Sequence, residues 1–134
     1  MEVRMNSLNS ILLEGNLVRD PESKTLPTGS QVCNFAVASD RFFKQNDATE
    51  KEVSYFDVEA WSRLGQNCAE NLKKGRGVRV VGRLKQDRWT DPEGKTRSKV
   101  KIVAEHVEFR PMQKKEDEAE GGDAPQRKEK EVVF

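Results

Sequence analysis

The sequence predicts an all-β fold: a five-stranded Greek-key barrel with one short helix between the third and fourth strands. Three observations predict it. Apolar and polar residues alternate over five stretches, the period of a half-buried strand. Only the segment from Leu64 to Leu72 changes to helical spacing, with apolar residues at i, i+4 and i+8. Turn chemistry separates the stretches, as in Asp20-Pro21, Pro27-Thr28-Gly29 and Asp91-Pro92-Glu93-Gly94.

The first strand covers about Leu8 to Val18, with Ile11, Leu13, Gly15 and Leu17 on one face. A glycine inside a strand marks a bulge or a close backbone approach. A short connection leads to the second strand, about Val32 to Ser39, whose core side is Cys33, Phe35 and Val37. Asp40 to Glu52 reads as a polar connection. It opens on Phe42-Phe43, and because alternation cannot bury two neighbours, one of the pair should project. The third strand is Val53 to Trp61, with Ser54, Phe56, Val58 and Ala60 expected inside and Tyr55, Asp57, Glu59 and Trp61 outside. Ser62 is placed to cap the helix and Gly75 to end it. The fourth strand has Val78, Val80, Gly82 and Leu84 as its core side. The fifth has Ser98, Val100, Ile102 and Ala104; its alternation slips at Val107 and Phe109, which implies a bulge or a strand end. His106, the single histidine, reads as a strand-end residue.

Composition limits the rest. A chain of 134 residues with 35% charged and 34% hydrophobic residues suits one modest domain, here residues 1–110. No apolar run has the length of a membrane span, and Met1 to Ser10 lacks a hydrophobic signal centre, so an intracellular soluble protein is expected. Cys33 and Cys68 are far apart and the chain has one His, so neither a zinc site nor a disulfide framework is indicated and no cofactor is expected. Both cysteines read as small buried residues. Residues 111–134 are rich in charge with little apolar surface before Val132-Val133-Phe134. They are expected to form a disordered charged tail with a sticky end.

Charge is distributed unevenly. From Lys73 to Lys101 eleven basic residues stand against three acids, in a chain whose formal net charge is +1. On the fourth strand Arg79, Arg83 and Lys85 share the outer count with Trp89, and on the fifth so do Arg97, Lys99 and Lys101. A charge run alone reads more readily as a solvated face. Tyr55 and Trp61 on the outer count of another strand argue for more, because exposed aromatics beside cations suit a polyanion that carries flat bases. Asp57 and Glu59 between those two rings keep that part of the face from being the main phosphate track.

Five strands with a helix between the third and fourth is the element order of an OB-fold, which by itself assigns no function. The motifs Leu13-Glu14-Gly15-Asn16-Leu17 with Asp20-Pro21-Glu22, Pro27-Thr28-Gly29, Asn71-Leu72-Lys73-Lys74-Gly75 and Arg88-Trp89-Thr90-Asp91 go further. In this order and spacing, over about Asn6 to Arg110, the chain resembles the bacterial single-stranded DNA-binding protein family. The resemblance implies non-specific binding of single-stranded DNA in replication, recombination and repair, in the cytoplasm at the nucleoid. It implies base stacking on Phe43, Tyr55, Trp61 and Trp89, where the family commonly has Trp at the first two. Arg63, Lys74 and Arg88 match its backbone contacts, to which the basic face and Lys44 and Lys73 would add. A homotetramer is implied too, with Phe56 near a subunit interface where the family often has His. The family's tail ends in acids followed by Pro-Phe and docks replication and repair proteins. Here Val132, Val133 and Phe134 would serve that role, without the proline and with Lys128 and Lys130 nearby.

Other classes fare worse. Gly94-Lys95-Thr96 resembles the end of a phosphate-binding loop, but the glycine that such a loop needs five residues earlier is Trp89. No nucleophile, histidine and carboxylate set can be assembled, so no enzyme is expected. An RNA-binding barrel or a protein-interaction barrel would use the same aromatics.

Overall fold

The computed structural model describes residues 4–111. The tail expected over 111–134, with Val132, Val133 and Phe134, lies outside the described residues beyond Pro111. Among those residues the elements are β1 (Ile11–Leu17), β2 (Glu22–Thr25), β3 (Gln31–Gln45), β4 (Ala48–Trp61), α1 (Ser62–Asn71), β5 (Gly77–Thr90) and β6 (Thr96–Phe109). The five expected strands are β1, β3, β4, β5 and β6.

They close into a barrel in the order β1-β5-β6-β4-β3, because β1 pairs with β5 over Ile11–Asn16 and then reaches β3 at Asn16 and Leu17. The crossing explains Gly15. A Cβ there would collide with the Ala38 carbonyl and the Val37 side chain, so only glycine lets β1 pass that close to β3. The one parallel contact, Val58 beside Ile102 and Glu59 beside Val103, joins β4 to β6. Leu17, Cys33, Phe35, Val37, Val58, Val78, Val80 and Ile102 fill the interior, with Cys68 from α1 and Leu72 from the residue just after it. Both cysteines are free and buried. Burial pushes the Cys68 thiol up to about 12, with the nearby Cys33 adding to the effect.

Several expectations need correction. The connection after β1 contains β2, which pairs with β3 from Glu22↔Asn34 to Thr25↔Gln31; its four residues are all exposed, so no apolar pattern announced it. Asp40 to Glu52 is not a loop. Both strands continue as a two-stranded arm to Gln45↔Ala48, and Asn46 and Asp47, both at positive φ (53° and 64°), make the two-residue turn. Beyond the barrel neither face of that arm meets a core, so its sequence carries no alternation to read. For the same reason Ser54, Phe56 and Leu84 are exposed, although they share a count with the buried Val58 and Val80.

Ser62 does not cap α1. The cap position falls on Trp61, which forms no side-chain cap bond because an indole has only a donor to offer, while Ser62 itself turns the chain at φ 57°. The slip in β6 is a bulge: Val81 pairs with His106 and Gly82 with Ala104, which leaves Glu105 over. His106 therefore lies inside β6, since the strand runs on to Phe109.

Candidate nucleic-acid interface

The outer counts of β4, β5 and β6 meet on one continuous face. Along β4 it carries Tyr55, Asp57, Glu59 and Trp61. On the β5–β6 hairpin the cross-strand pairs Lys85↔Lys101, Asp87↔Lys99 and Trp89↔Arg97 point the same way. Tyr55 is 66% exposed, Trp89 48% and Trp61 37%, so three large rings look out of a folded barrel. The same face holds a groove of about 320 Å³, whose lining includes Arg19, Glu22, Asn34, Asp57, Glu59, Asp87, Lys99 and Lys101 and none of the three rings.

The parallel junction brings β4 acids against β6 lysines. Lys101 Nζ lies 2.7 Å from both Glu59 Oε2 and Asp87 Oδ2, Lys99 Nζ lies 2.6 Å from Asp57, and Lys85 Nζ lies 2.9 Å from Asp87. The expected cationic face is thus a lattice of alternating charge. Elsewhere Arg79 pairs with Glu14 at 2.9 Å and Glu108 at 3.5 Å, Arg83 reaches Glu105 at 3.9 Å, and Arg97 holds Asp91 at 2.9 Å. The acids of β1 and β4, and those of β6 past Ala104, lie outside the Lys73–Lys101 run, so counting within that run overstated the free charge.

Titration follows these contacts. Hydrogen bonds from Lys101 and then Lys85 hold the Asp87 carboxyl below the usual carboxylate range. For Lys101 partial burial is the largest single influence and opposes the charge, but hydrogen bonds to Asp87 and Glu59 outweigh it and raise the ammonium above its ordinary value. Arg97, followed by the Lys95 amide, lowers Asp91 in the β5–β6 turn.

The other expected residues are dispersed. Arg88 is on the opposite count from Trp89, beside Ser98, and donates to Gln86 at 3.4 Å. Arg63 is exposed on α1, Lys73 and Lys74 follow the helix, and the Lys74 amide donates to Asp20 at 2.8 Å. Arg79 belongs to the β1 side of the barrel, away from the rings. Among the described residues Lys44, Lys51, Arg63 and Lys73 form no ion pair. Phe43 is within β3, half-buried, with the Arg41 guanidinium 5.0 Å from its ring centre. The sequence reading did not reach the long-range partners of the lysines, nor the role of Glu59 between Trp61 and Lys101; no local signal marks either.

Comparison with known proteins adds an independent line. Residues 8–110 match the model of the Single-strand binding protein family. The chain is 41% identical over 105 residues to the Treponema pallidum "Single-stranded DNA-binding protein", covering 78% of this chain and 59% of that protein's length. It is 36% identical over 121 residues to the Chlorobaculum tepidum "Single-stranded DNA-binding protein 2", covering 87% of this chain and 82% of the relative. Among solved structures, a chain from "Plasmodium falciparum SSB complex with ssDNA" superposes with a TM-score of 0.73 at 22% identity, covering 81% of this chain and 100% of that one, which shows a shared fold.

Proposed function

The chain belongs to the single-strand binding protein family, and from that premise we propose that it binds single-stranded DNA without sequence specificity and protects it during replication, recombination and repair. The observation that carries this reading is the common face of Tyr55, Trp61 and Trp89, three exposed rings interleaved with cations. Bases stack on those rings, and the resemblance indicates Phe43 for a further ring on the β3–β4 arm. Every base has a π-face, so stacking explains tolerance of sequence.

The phosphate contacts fall into two groups. Among the described residues Lys44, Arg63, Lys73 and Lys74 have no ion-pair partner and can meet the strand directly, as can Arg88 on the far side of its hairpin. Lys85, Lys99, Lys101, Arg83, Arg97 and Arg79 are already held by carboxylates, which phosphates must displace. Those carboxylates occupy the cations until nucleic acid arrives.

The same family premise supports self-association as a homotetramer. Phe56, Leu84 and Val100 are exposed apolar side chains on the counts opposite the aromatic face, Leu12 is exposed on β1, and a second copy would cover them. Residues 1–110 act as the binding domain and 111–134 as a tether, through which Val132, Val133 and Phe134 recruit replication and repair proteins. Cutting the chain after Arg110 should leave binding intact, and removing Phe134 alone should abolish recruitment. The reading is of a cytoplasmic, nucleoid-associated binding protein without catalysis. No described helix is long and apolar enough to cross a membrane.

Titrating intrinsic tryptophan fluorescence with oligo-dT, then competing with RNA and duplex DNA at one salt concentration, tests the proposal. Quenching with preference for the single DNA strand is expected. Equal competition by duplex overturns it.

A further inference from the structure

We propose that Asp20 is a positioning residue for strand binding: its carboxylate holds the backbone of the turn after α1, which leaves Lys73 and Lys74 as free cations, and Arg19 joins them to the groove as a further phosphate contact. The inference rests on the single-strand-binding reading above. It begins with the way the chain passes from α1 to β5. Leu72 is buried, and from there the turn closes with the Arg76 amide donating to the Lys73 carbonyl at 3.0 Å and Gly75 at φ 89°. This closure leaves the Lys74 N–H and both polar groups of Gly75 without partners. The end of β1 and the connection after it supply all three: the Leu17 carbonyl accepts the Gly75 N–H at 2.9 Å, the Asn16 side-chain amide donates to the Gly75 carbonyl at 3.0 Å, and Asp20 Oδ1 accepts the Lys74 N–H at 2.8 Å.

The Asp20 contact also decides where charge stays available. An aspartate preceded by Arg19 and lying against Lys74 would ordinarily pair with one of those cations, as Asp57 and Glu59 pair with Lys99 and Lys101. Here the carboxylate is bound to an amide instead, by a charge-assisted hydrogen bond stronger than a neutral one. Among the described residues Arg19, Lys73 and Lys74 have no ion-pair partner. All three are exposed. Arg19 lines the groove together with Lys99 and Lys101, whose ammonium groups are occupied by carboxylates. A phosphodiester strand that leaves the groove past Arg19 therefore meets three cations that it need not strip of acids. Two of them stand on a turn pinned by three hydrogen bonds.

The test measures affinity for labelled oligo-dT by anisotropy over a salt series, in the full chain, with thermal melts alongside. Asp20→Asn keeps an oxygen for the Lys74 amide and removes a negative charge near the strand, so affinity should rise. Asp20→Ala removes the same charge together with the acceptor. Its affinity should instead fall, and the magnitude of the log affinity against log salt slope should drop by up to about 1.4, two phosphates' worth for a single strand, so that the deficit shrinks up to about sevenfold between about 50 and 200 mM salt. Asn16→Ala frees the same turn at Gly75 and should move affinity and slope in the same direction, which keeps the test decisive if Asp20→Ala does not fold. Arg19→Gln should lower the slope by about 0.7. In a chain already carrying Lys73→Gln and Lys74→Gln, Asp20→Ala should lower the slope no further, because the cations that it positions are gone. An unchanged slope in Asp20→Ala, Asn16→Ala or Arg19→Gln, a loss in Asp20→Asn equal to that in Asp20→Ala, or a further fall in the lysine-free background overturns the assignment while leaving single-strand binding in place. Failure of the unaltered chain to bind oligo-dT removes both readings.

Discussion

The carboxylate of Glu59 accepts the indole N–H of Trp61 at 3.0 Å. Its other oxygen holds the Lys101 ammonium at 2.7 Å. One acid therefore orients an exposed ring and occupies a cation, and the two effects can be separated by substitution.

Glu59→Gln keeps an oxygen for the indole but gives up the charge that binds Lys101. Lys101, then held by Asp87 alone at 2.7 Å, should yield to phosphate more readily and steepen the log affinity against log salt slope by up to about 0.7. Trp61 emission should stay unchanged. Glu59→Ala should also shift that emission, because the ring loses its tether. Salt titrations of the two variants check this, and an unchanged slope in both would show that losing Glu59 does not release Lys101 to the strand.

Trp61→Ala and Trp89→Ala should each weaken binding by about 1 to 3 kcal/mol with folding retained, since both rings are exposed. Phe35→Ala, by contrast, empties the core and should cost about 3 to 5 kcal/mol of stability. Melting curves beside binding isotherms distinguish the two kinds of loss.

The ion lattice gives stability a pH dependence of known sign. Asp87 and Asp91 are held below their ordinary range in the folded chain, so their contribution is complete above the unfolded value of about 3.9 and disappears as pH falls through the folded values. Lys101 is raised, so its contribution is complete below about 10.4 and disappears as pH climbs through the folded value. Melts of Asp87→Asn beside the unaltered chain should show a smaller acid loss in the variant.

Gly15→Ala should destabilise the barrel by at least about 1 to 3 kcal/mol, because the neighbour is backbone and cannot rotate away. Chemical denaturation measures it. A change below 0.5 kcal/mol, the usual range for ~neutral surface substitutions, would mean that β1 can shift at its crossing to β3.

Wherever one side of an element meets the core, its residue order alone determines its state: Val78 and Val80 on β5, Phe35 and Val37 on β3, and Leu64 and Cys68 on α1 with Leu72 at its cap are legible because burial selects apolar side chains at a fixed period. The barrel and the outward rings Tyr55, Trp61 and Trp89 follow from that alternation. Where both faces are solvated, the period vanishes. That is why β2 and the β3–β4 arm went unread, and why Phe42 and Phe43 could be recognised as opposed but not assigned to sides until pairing with β4 set the register. The charge of the groove was likewise a tertiary decision. Glu59 and Lys101 are 42 positions apart in the chain, and only the parallel junction of β4 with β6 brings them to 2.7 Å. Local composition records how many charges a strand carries; barrel closure decides which of them neutralise one another.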